Sequence, residues 1–248
     1  MGLLHSPLSP TDGLVLCLDS ANRRSYPGSG NTWFDLSGNG NNGTLTNGVN
    51  YNGFAMNFDG SNDVIPCTSL TQGNLGSSDA TISLWARLSN ISVYSSIICK
   101  RMPVSDFRQW SLTQGNVTDS GQINPGKHIG IFWFKGGSAN SINDAQCFRT
   151  TNDVVDGNWH HILIRRRNGF GVDFYIDGIN VSVTPITNGL NNINADHTSS
   201  PVIIGSSVIS GFTAPISGQL DDIRIYNRAL SPAEIGILFN SKRMRYGL

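Results

Sequence analysis

The chain has 248 residues, and its 17 basic side chains balance its 17 acidic ones, so electrostatic targeting by net charge is excluded. Hydrophobic residues make up 38% of the chain, and no apolar run approaches the roughly 20 residues that cross a bilayer, which excludes a membrane-spanning helix. Glycine (28), asparagine (26) and serine (29) form about a third of the chain and favour turns, so a mainly helical fold is excluded as well.

Short apolar or alternating runs are separated by clusters of Gly, Asn and Ser, a pattern typical of all-β proteins. The predicted strands are, in chain order, Leu14 to Leu18, Phe54 to Phe58, Thr81 to Arg87, Ser95 to Lys100, Trp110 to Thr113, His128 to Phe134, Trp159 to Arg166, Val172 to Ile176, Val202 to Gly205 and Gly218 to Tyr226. Their spacing predicts a β-sandwich. An Asp177-Gly178 pair after the eighth strand predicts a hairpin with a return strand that begins at Val181.

A helix is predicted near the end of the chain. Ser231 has the character of an N-cap, Pro232 follows at the first helical position, and Glu234 completes a capping box. Ile235, Leu238 and Phe239 then fall on one face, so we expect the helix to cover an end or an edge of the sandwich. The longest linker is an Asn-rich loop from Asn188 to Ser200, and a single domain over residues 1–248 is expected.

The four cysteines are too far apart for a zinc-binding spacing and too few to cross-link a chain of this length. We therefore predict buried thiols at Cys17, Cys67, Cys99 and Cys147. The first ten residues, MGLLHSPLSP, lack the basic opening and the long apolar core of a secretory signal.

Oxygen-bearing side chains recur at every second position after Trp33. Asp35, Ser37, Asn39 and Asn41 follow this spacing, and Gly40 stands where a calcium loop makes its sharp turn. This pattern resembles the first half of a calcium-binding loop and predicts calcium as a candidate cofactor.

The second half of such a loop is missing, because Thr46 stands where a bidentate Glu would be expected. A further carboxylate would have to come from elsewhere, and Asp222 or Asp221 is the candidate. The alternative is that Asp35 and Ser37 cap backbone groups of a tight loop without a metal. The segment Asp59 to Asp63 is a second acidic cluster with poorer spacing, and a turn explains it equally well.

Tryptophans can serve as platforms for the apolar face of a sugar. Trp85, Trp133 and Trp159 lie within strand patterns and are predicted in the core. Tyr26, Trp33 and Trp110 are less constrained and are the candidate ligand-binding aromatics, with Tyr26 and Trp33 flanking a loop close to the proposed calcium loop. Charged residues are 14% of the chain, below the usual quarter, and a surface of amides and hydroxyls suits sugars or neutral protein faces.

Catalytic arrangements are hard to place on this sequence. Retaining glycosidases need two carboxylates about 5 Å apart, but the chain has one Glu, Glu234, and it belongs to the capping box. Asp221 and Asp222 are neighbours in a strand, so their side chains are expected on opposite faces. By the same alternation, one of His160 and His161 is expected in the core and the other at the surface. The cluster Arg165 to Arg167 is predicted to be a solvated strand end and not a nucleic-acid site.

Seven blocks along the chain form a recognisable set. They are GLVL from Gly13, TWFDLSGNGNNGTL from Thr32, Phe58-Asp59-Gly60 with Asn62-Asp63, ISLWARL from Ile82, GNWHHILI from Gly157, DFYIDG from Asp173 and GQLDDIRIYNRALSPAEI from Gly218. Together these blocks resemble the laminin G-like domain of the concanavalin A-like lectin and glucanase superfamily. The resemblance implies a jelly-roll of two curved antiparallel sheets, often with calcium at the rim, and a binding role.

Two functions follow as expectations. The first is a non-enzymatic, lectin-like recognition or adhesion module that binds a glycan or a protein surface. The second is a structural protein of a bacteriophage virion, because stand-alone chains with this resemblance look like virion proteins. Such a protein would contact other virion proteins. Both place the chain on a virion or an extracellular surface, with no nucleic-acid partner. A degenerate glycosidase is a third hypothesis.

Overall fold

The computed structural model describes residues 9–67, 78–89, 95–101, 108–117, 123–134, 145–167, 171–186, 201–209 and 212–248. Its strands are β1 (Leu14–Leu18), β2 (Thr32–Trp33), β3 (Gly43–Thr44), β4 (Asn50–Tyr51), β5 (Met56–Asp59), β6 (Ile65–Cys67), β7 (Ala80–Leu88), β8 (Ser95–Arg101), β9 (Arg108–Val117), β10 (Ile123–Phe134), β11 (Ala145–Thr150), β12 (Trp159–Arg167), β13 (Gly171–Ile176), β14 (Ile179–Val181), β15 (Val183–Pro185), β16 (Val202–Ile204), β17 (Val208–Ile209), β18 (Phe212–Thr213) and β19 (Ser217–Tyr226). Helix α1 (Pro232–Lys242) follows and ends in a 3₁₀ turn, Arg243–Tyr246. The predicted loop Asn188 to Ser200 lies outside the described residues.

The strands form two antiparallel sheets, as predicted. The first sheet has the order β14-β13-β12-β7-β19-β5-β4, with β1 also paired to β19, and the second has the order β15-β11-β10-β9-β8-β16-β6-β3-β2. Strands β17 and β18 form a separate ribbon. No helix in the described ranges is both long and apolar enough to span a bilayer.

Alternation along the central strands places the core between the two sheets. Ile82 and Leu84 of β7 and Ile162 of β12 point inward, where they join Leu112 and Ile131 of the opposite sheet in one buried cluster. Residues i and i+2 of a strand share a face, so the alternate positions of the same strands point outward.

The predicted hairpin and helix are both present, but the return strand of the hairpin begins at Ile179 and not at the predicted Val181. Asp177 (φ 53°) and Gly178 (φ 77°) are both in the left-handed region, as a two-residue type I′ turn requires between β13 and β14. The Ser231 side chain accepts a hydrogen bond from the backbone of Glu234, whose side chain in turn accepts one from the backbone of Ser231.

The position of the helix differs from the expectation of an end or edge. Ile235 and Leu238 of α1 pack on Leu163, Tyr175 and Tyr226, which belong to β12, β13 and β19. These strands are neighbours or near neighbours in the first sheet, so the helix covers that sheet's outer face. The physical reason is that the helix removes the outward-facing side chains of these strands from water.

All four cysteines are buried thiols, as predicted. Burial raises the pKa of Cys17 and of Cys67 to about 12, so both are protonated at neutral pH.

Candidate functional site

An open cleft of about 370 Å³ lies beside the loop that follows β1. Its lining is mostly polar and glycine-rich, and consists of Ser20, Ala21, Arg23, Tyr26, Gly28, Tyr51 and Gly53. Two segments therefore form it, one from residues 20–28 and the other from the β4–β5 turn.

The first wall is a series of tight turns. The backbone N–H of Asn22 donates to the carbonyl of Asp19, and the N–H of Tyr26 donates to the carbonyl of Asn22 at 2.8 Å. The Asp19 carboxylate also accepts from the backbone of Ala21 at 3.1 Å. Short polar side chains that bond to nearby backbone groups explain why this run does not continue the strand.

The second wall is the turn between β4 and β5. The Asn52 side chain accepts hydrogen bonds from the backbone N–H groups of Phe54 and Ala55, which fixes the turn. Gly53 has φ +88°, and a side chain at that position would meet no heavy atom within 4 Å. The turn therefore needs glycine for its backbone and leaves open space at the cleft.

Two tyrosines stand together in the lining. The Tyr26 and Tyr51 ring centroids are 5.2 Å apart, with the ring planes tilted by 59°. Tyr26 is buried and donates its hydroxyl to the Gly30 carbonyl at 2.9 Å, whereas Tyr51 is half-buried. Burial, with a smaller effect of Tyr51, raises the pKa of Tyr26. Tyr26 thus fixes the position of Tyr51, whose ring keeps accessible surface.

Arg23 is the charged residue of the lining. Its side chain is exposed, and Nη1 donates to the Pro27 carbonyl at 2.9 Å. A Cβ on Gly28 would lie 3.3 Å from Nη1, so glycine there leaves room for the guanidinium. Within the described ranges no carboxylate forms an ion pair with Arg23.

An ion-pair cluster behind Ser20 supports the first wall. The Ser20 backbone donates to Asp221 at 2.8 Å, and Asp221 also accepts from the Tyr246 hydroxyl at 2.7 Å and pairs with Arg245 at 2.8 Å. Asp19 pairs with Lys242 at 2.7 Å. Burial raises the pKa of Asp221, and Arg245, Tyr246 and Ser20 oppose that effect.

The predicted calcium loop is held together by its own hydrogen bonds. One oxygen of Asp35 accepts from the backbones of Cys17 and Ser37 at 2.9 Å, and the other accepts from the Ser37 hydroxyl at 2.7 Å and the Asn41 backbone at 3.0 Å. The amide nitrogens of Asn39 and Asn41 donate to the Val15 carbonyl. These contacts match the capping alternative.

The carboxylate that was expected to complete the metal site already has a protein partner. Asp222 is buried, has φ 45° at an irregularity of β19, and pairs with Arg224 at 2.8 Å. In the described part of the chain, no three His, Cys, Asp or Glu residues gather as a metal-binding group. The residues as they lie do not fit a calcium ion, and calcium stays a prediction.

The predicted aromatic residues are divided by the structure. Tyr26 lines the cleft, but the Trp33 and Trp110 side chains have no exposed surface and lie in the core between the sheets. The expectation that they present open stacking surfaces is therefore wrong, because inward positions of β2 and β9 enclose them. Arg23 and Tyr51 were not predicted as site residues, because the turn-rich segment 20–28 does not indicate which other segment of the chain packs against it.

The histidine pair has structural contacts. His161 is buried on the outer face, where Nε2 lies 2.9 Å from the Ser83 hydroxyl. His160 lies 2.7 Å from Asp177 and 3.1 Å from Asp156, and its pKa is raised, chiefly by the hydrogen bond to Asp177. Glu234 is held by Arg228 and the helix cap, which lower its pKa to about 2.

Comparison with solved structures supports the fold. The chain is similar to the botulinum neurotoxin serotype C1 binding domain (16% identity, TM-score 0.63, 93% of this chain and 52% of that one) and to the binding domain of Paraclostridial Mosquitocidal Protein 1 (21%, 0.65, 93% and 52%). It is also similar to a Trypanosoma rangeli sialidase mutant with trans-sialidase activity (16%, 0.63, 95% and 34%). The chain thus spans about half the length of the binding domains it matches. A search of the curated protein sequences found no match.

The sequence itself matches a family model over residues 59–236, well over half of the chain. That model is a laminin G model described as the concanavalin A-like lectin/glucanases superfamily. The two antiparallel sheets and the matched span agree with one another, and the chain belongs to the laminin G-like family of the concanavalin A-like lectin/glucanases superfamily.

Proposed function

We propose that this chain is a non-enzymatic recognition module that binds a glycan in the cleft beside Tyr51. The observation that carries the proposal is the pairing, in one open polar cleft, of a half-buried aromatic ring with hydrogen-bonding groups. An aromatic ring offers an apolar face to a sugar ring, and a few placed polar groups fix the ligand's orientation.

Similar domains support a binding role. Solved structures of the binding domain of botulinum neurotoxin DC include complexes with rat synaptotagmin II and with SialylT. This chain spans about half of that domain, so the two complexes are precedents for a binding role of proteins that contain this fold. The open, polar character of the cleft favours the glycan over the apolar contacts that dominate the core of most protein interfaces.

The absence of catalysis is part of the proposal. Glycosidases use a pair of carboxyl groups about 5 to 10 Å apart across the scissile bond, and the cleft is lined, among the described residues, by no Asp, Glu or His. Asp221 and Asp222 are buried and engaged by arginines. A reducing-end assay on the glycans that bind should therefore show no turnover, and release of product would contradict the proposal.

A glycan array tests the binding proposal directly. We expect the purified chain to bind at least one glycan class, and Tyr51→Ala to weaken binding about tenfold, the equivalent of about 1.4 kcal/mol. Phe34→Ala is the matched control, because Phe34 is an exposed aromatic residue outside the cleft lining. An array without any bound glycan, or equal losses in both variants, would contradict a role for this cleft.

A virion location remains an expectation drawn from the sequence resemblance. Detection of the chain by mass spectrometry in purified phage particles would support it, and display on a cell surface would instead be detected by surface labelling.

A further inference from the structure

We propose that the cleft selects saccharides that carry an anionic group, a carboxylate or a sulfate, with Arg23 contacting the anion and Tyr51 contacting the sugar ring. The inference deepens the proposed function and rests on it. It assigns to Arg23 a specificity role at the same cleft.

The first argument is the state of the guanidinium. An arginine side chain has five N–H donors, and in Arg23 the described hydrogen bonds use Nη1 for the Pro27 carbonyl. The side chain is exposed, yet the contact with Pro27 fixes it on the loop that forms the cleft wall. A guanidinium held in this way is matched to an oxyanion, carboxylate or sulfate, two oxygens of which accept parallel hydrogen bonds.

The second argument is the charge balance around the cleft. The acidic groups behind its wall, Asp19 and Asp221, are buried and are matched by Lys242 and Arg245. Two negative charges thus face two positive charges, and Arg23 adds one more positive charge. An anion at the cleft therefore meets a net attraction and no unpaired carboxylate in the lining.

The third argument is that the two groups share one cleft. Arg23 and Tyr51 come from its two different walls, and the ring contact between Tyr26 and Tyr51 at 5.2 Å joins these walls. A saccharide that fills the cleft of about 370 Å³ therefore meets both the Tyr51 ring and the Arg23 guanidinium. A neutral sugar would use the ring and leave the guanidinium without a charged partner.

The test uses the whole chain on an array of matched oligosaccharide triplets that are neutral, carboxylated or sulfated. We expect the anionic members to bind and the neutral members to bind at least about tenfold more weakly, as the loss of a charge-assisted hydrogen bond implies. Arg23→Gln should reduce binding of the anionic members to the level of the neutral ones. Arg23→Lys should recover part of the loss, because lysine keeps the charge without the planar fork.

Arg24→Gln is the matched control, since Arg24 is the exposed neighbour outside the cleft lining. Both glutamine variants should keep the melting temperature of the wild type, because substitutions of exposed side chains usually change stability little. Comparing the carboxylated with the sulfated members shows which of the two anionic groups the cleft binds. Equal binding of neutral and anionic members, or anionic binding that Arg23→Gln leaves unchanged, would overturn the inference while leaving the proposed function intact. No binding of any glycan by the wild type would overturn both.

Discussion

Asp35 shows how a pattern typical of metal ligands can serve a loop without a metal. Its carboxylate accepts four hydrogen bonds from protein donors, three of them from the backbone N–H groups of Cys17, Ser37 and Asn41. Asp35→Ala leaves these donors without an acceptor, so we expect the free energy of unfolding to fall by about 2 to 3 kcal/mol, measured by urea denaturation.

Asp153→Ala is the control for that change, because Asp153 is exposed and its contact with Nε2 of His128 is as long as 3.8 Å. In the observed arrangement calcium and EDTA should leave the melting temperature of the wild type unchanged. A calcium-dependent increase that disappears in Asp35→Ala would instead show that the loop rearranges around a cation.

His161 makes stability depend on pH. Burial is the main cause that lowers the pKa of His161 to about 3 from an ordinary 6.5. Below pH 6.5 the unfolded chain therefore binds a proton at this residue and the folded chain does not. Stability from this residue is therefore present above pH 6.5 and is lost as pH falls. Between pH 6.5 and pH 5 the wild type should lose about 2 kcal/mol more than His161→Phe, in urea unfolding at each pH.

His160 does not cancel this effect. Its pKa is raised in the fold, so below pH 6.5 it carries its proton in both states, and its stabilising contribution is lost only as pH rises through the folded value. His160 is present in both proteins, so the difference between their pH profiles isolates His161. Parallel pH profiles would contradict a buried, neutral imidazole.

Residue roles were predicted where they depend on local pattern and missed where they depend on tertiary contacts. The capping box of Ser231 and Glu234 is local, and it is present. Arg165 was expected at a solvated strand end, yet it is buried, pairs with Asp173 at 2.9 Å and donates to the Leu230 carbonyl. The partner that makes its burial favourable comes from the next strand of the hairpin, which alternation alone does not identify.

At the scale of elements, the segment after helix α1 locks onto the outer face of the first sheet. The Tyr246 ring stacks on Trp85 at a centroid distance of 4.0 Å, and its hydroxyl donates to Asp221. Tyr246→Ala removes a buried ring and leaves Asp221 with one donor fewer, so we expect a loss of about 3 kcal/mol or more in the free energy of unfolding.

Met244→Ala is the matched control for Tyr246→Ala, because Met244 lies in the same 3₁₀ turn and is 80% exposed. We expect it to change stability by less than about 0.5 kcal/mol. Since Asp221 also holds the backbone of Ser20, Tyr246→Ala should weaken glycan binding as well, whereas Met244→Ala should not. Equal effects of both substitutions would contradict the docking of this segment through the ring.

Long strands and the hairpin could be predicted because their periodicity and turn residues are contiguous in sequence. The two-residue strands β2, β3 and β4 could not, because two residues are too few to show an alternating pattern and each strand is defined only by its pairing. The same holds for α1, whose capping signals fix where it begins but not which face of the sandwich it covers.

At the scale of the molecule, the cleft depends on contacts between the two ends of the chain. β1 pairs with β19, and the Ser20 backbone reaches Asp221, which is 201 positions away. Of the site, the sequence indicated Tyr26 alone, since the second wall and the ion-pair support arise only when these distant strands meet. A two-layer sandwich of this kind has many long-range contacts, so its cooperative unfolding should expose the interior as a unit.

Thiol labelling tests that cooperativity across both sheets. The cysteines come from β1, β6, β8 and β11, all are buried, and burial raises the pKa of Cys17, Cys67 and Cys147, so the reactive thiolate is scarce as well as hidden. In native buffer we expect no cysteine to react with a thiol reagent faster than the chain unfolds. In urea all four should react together at the rate of unfolding measured by tryptophan fluorescence. One cysteine that is labelled quickly in native buffer, identified by mass spectrometry, would show that its strand opens separately from the rest of the sandwich.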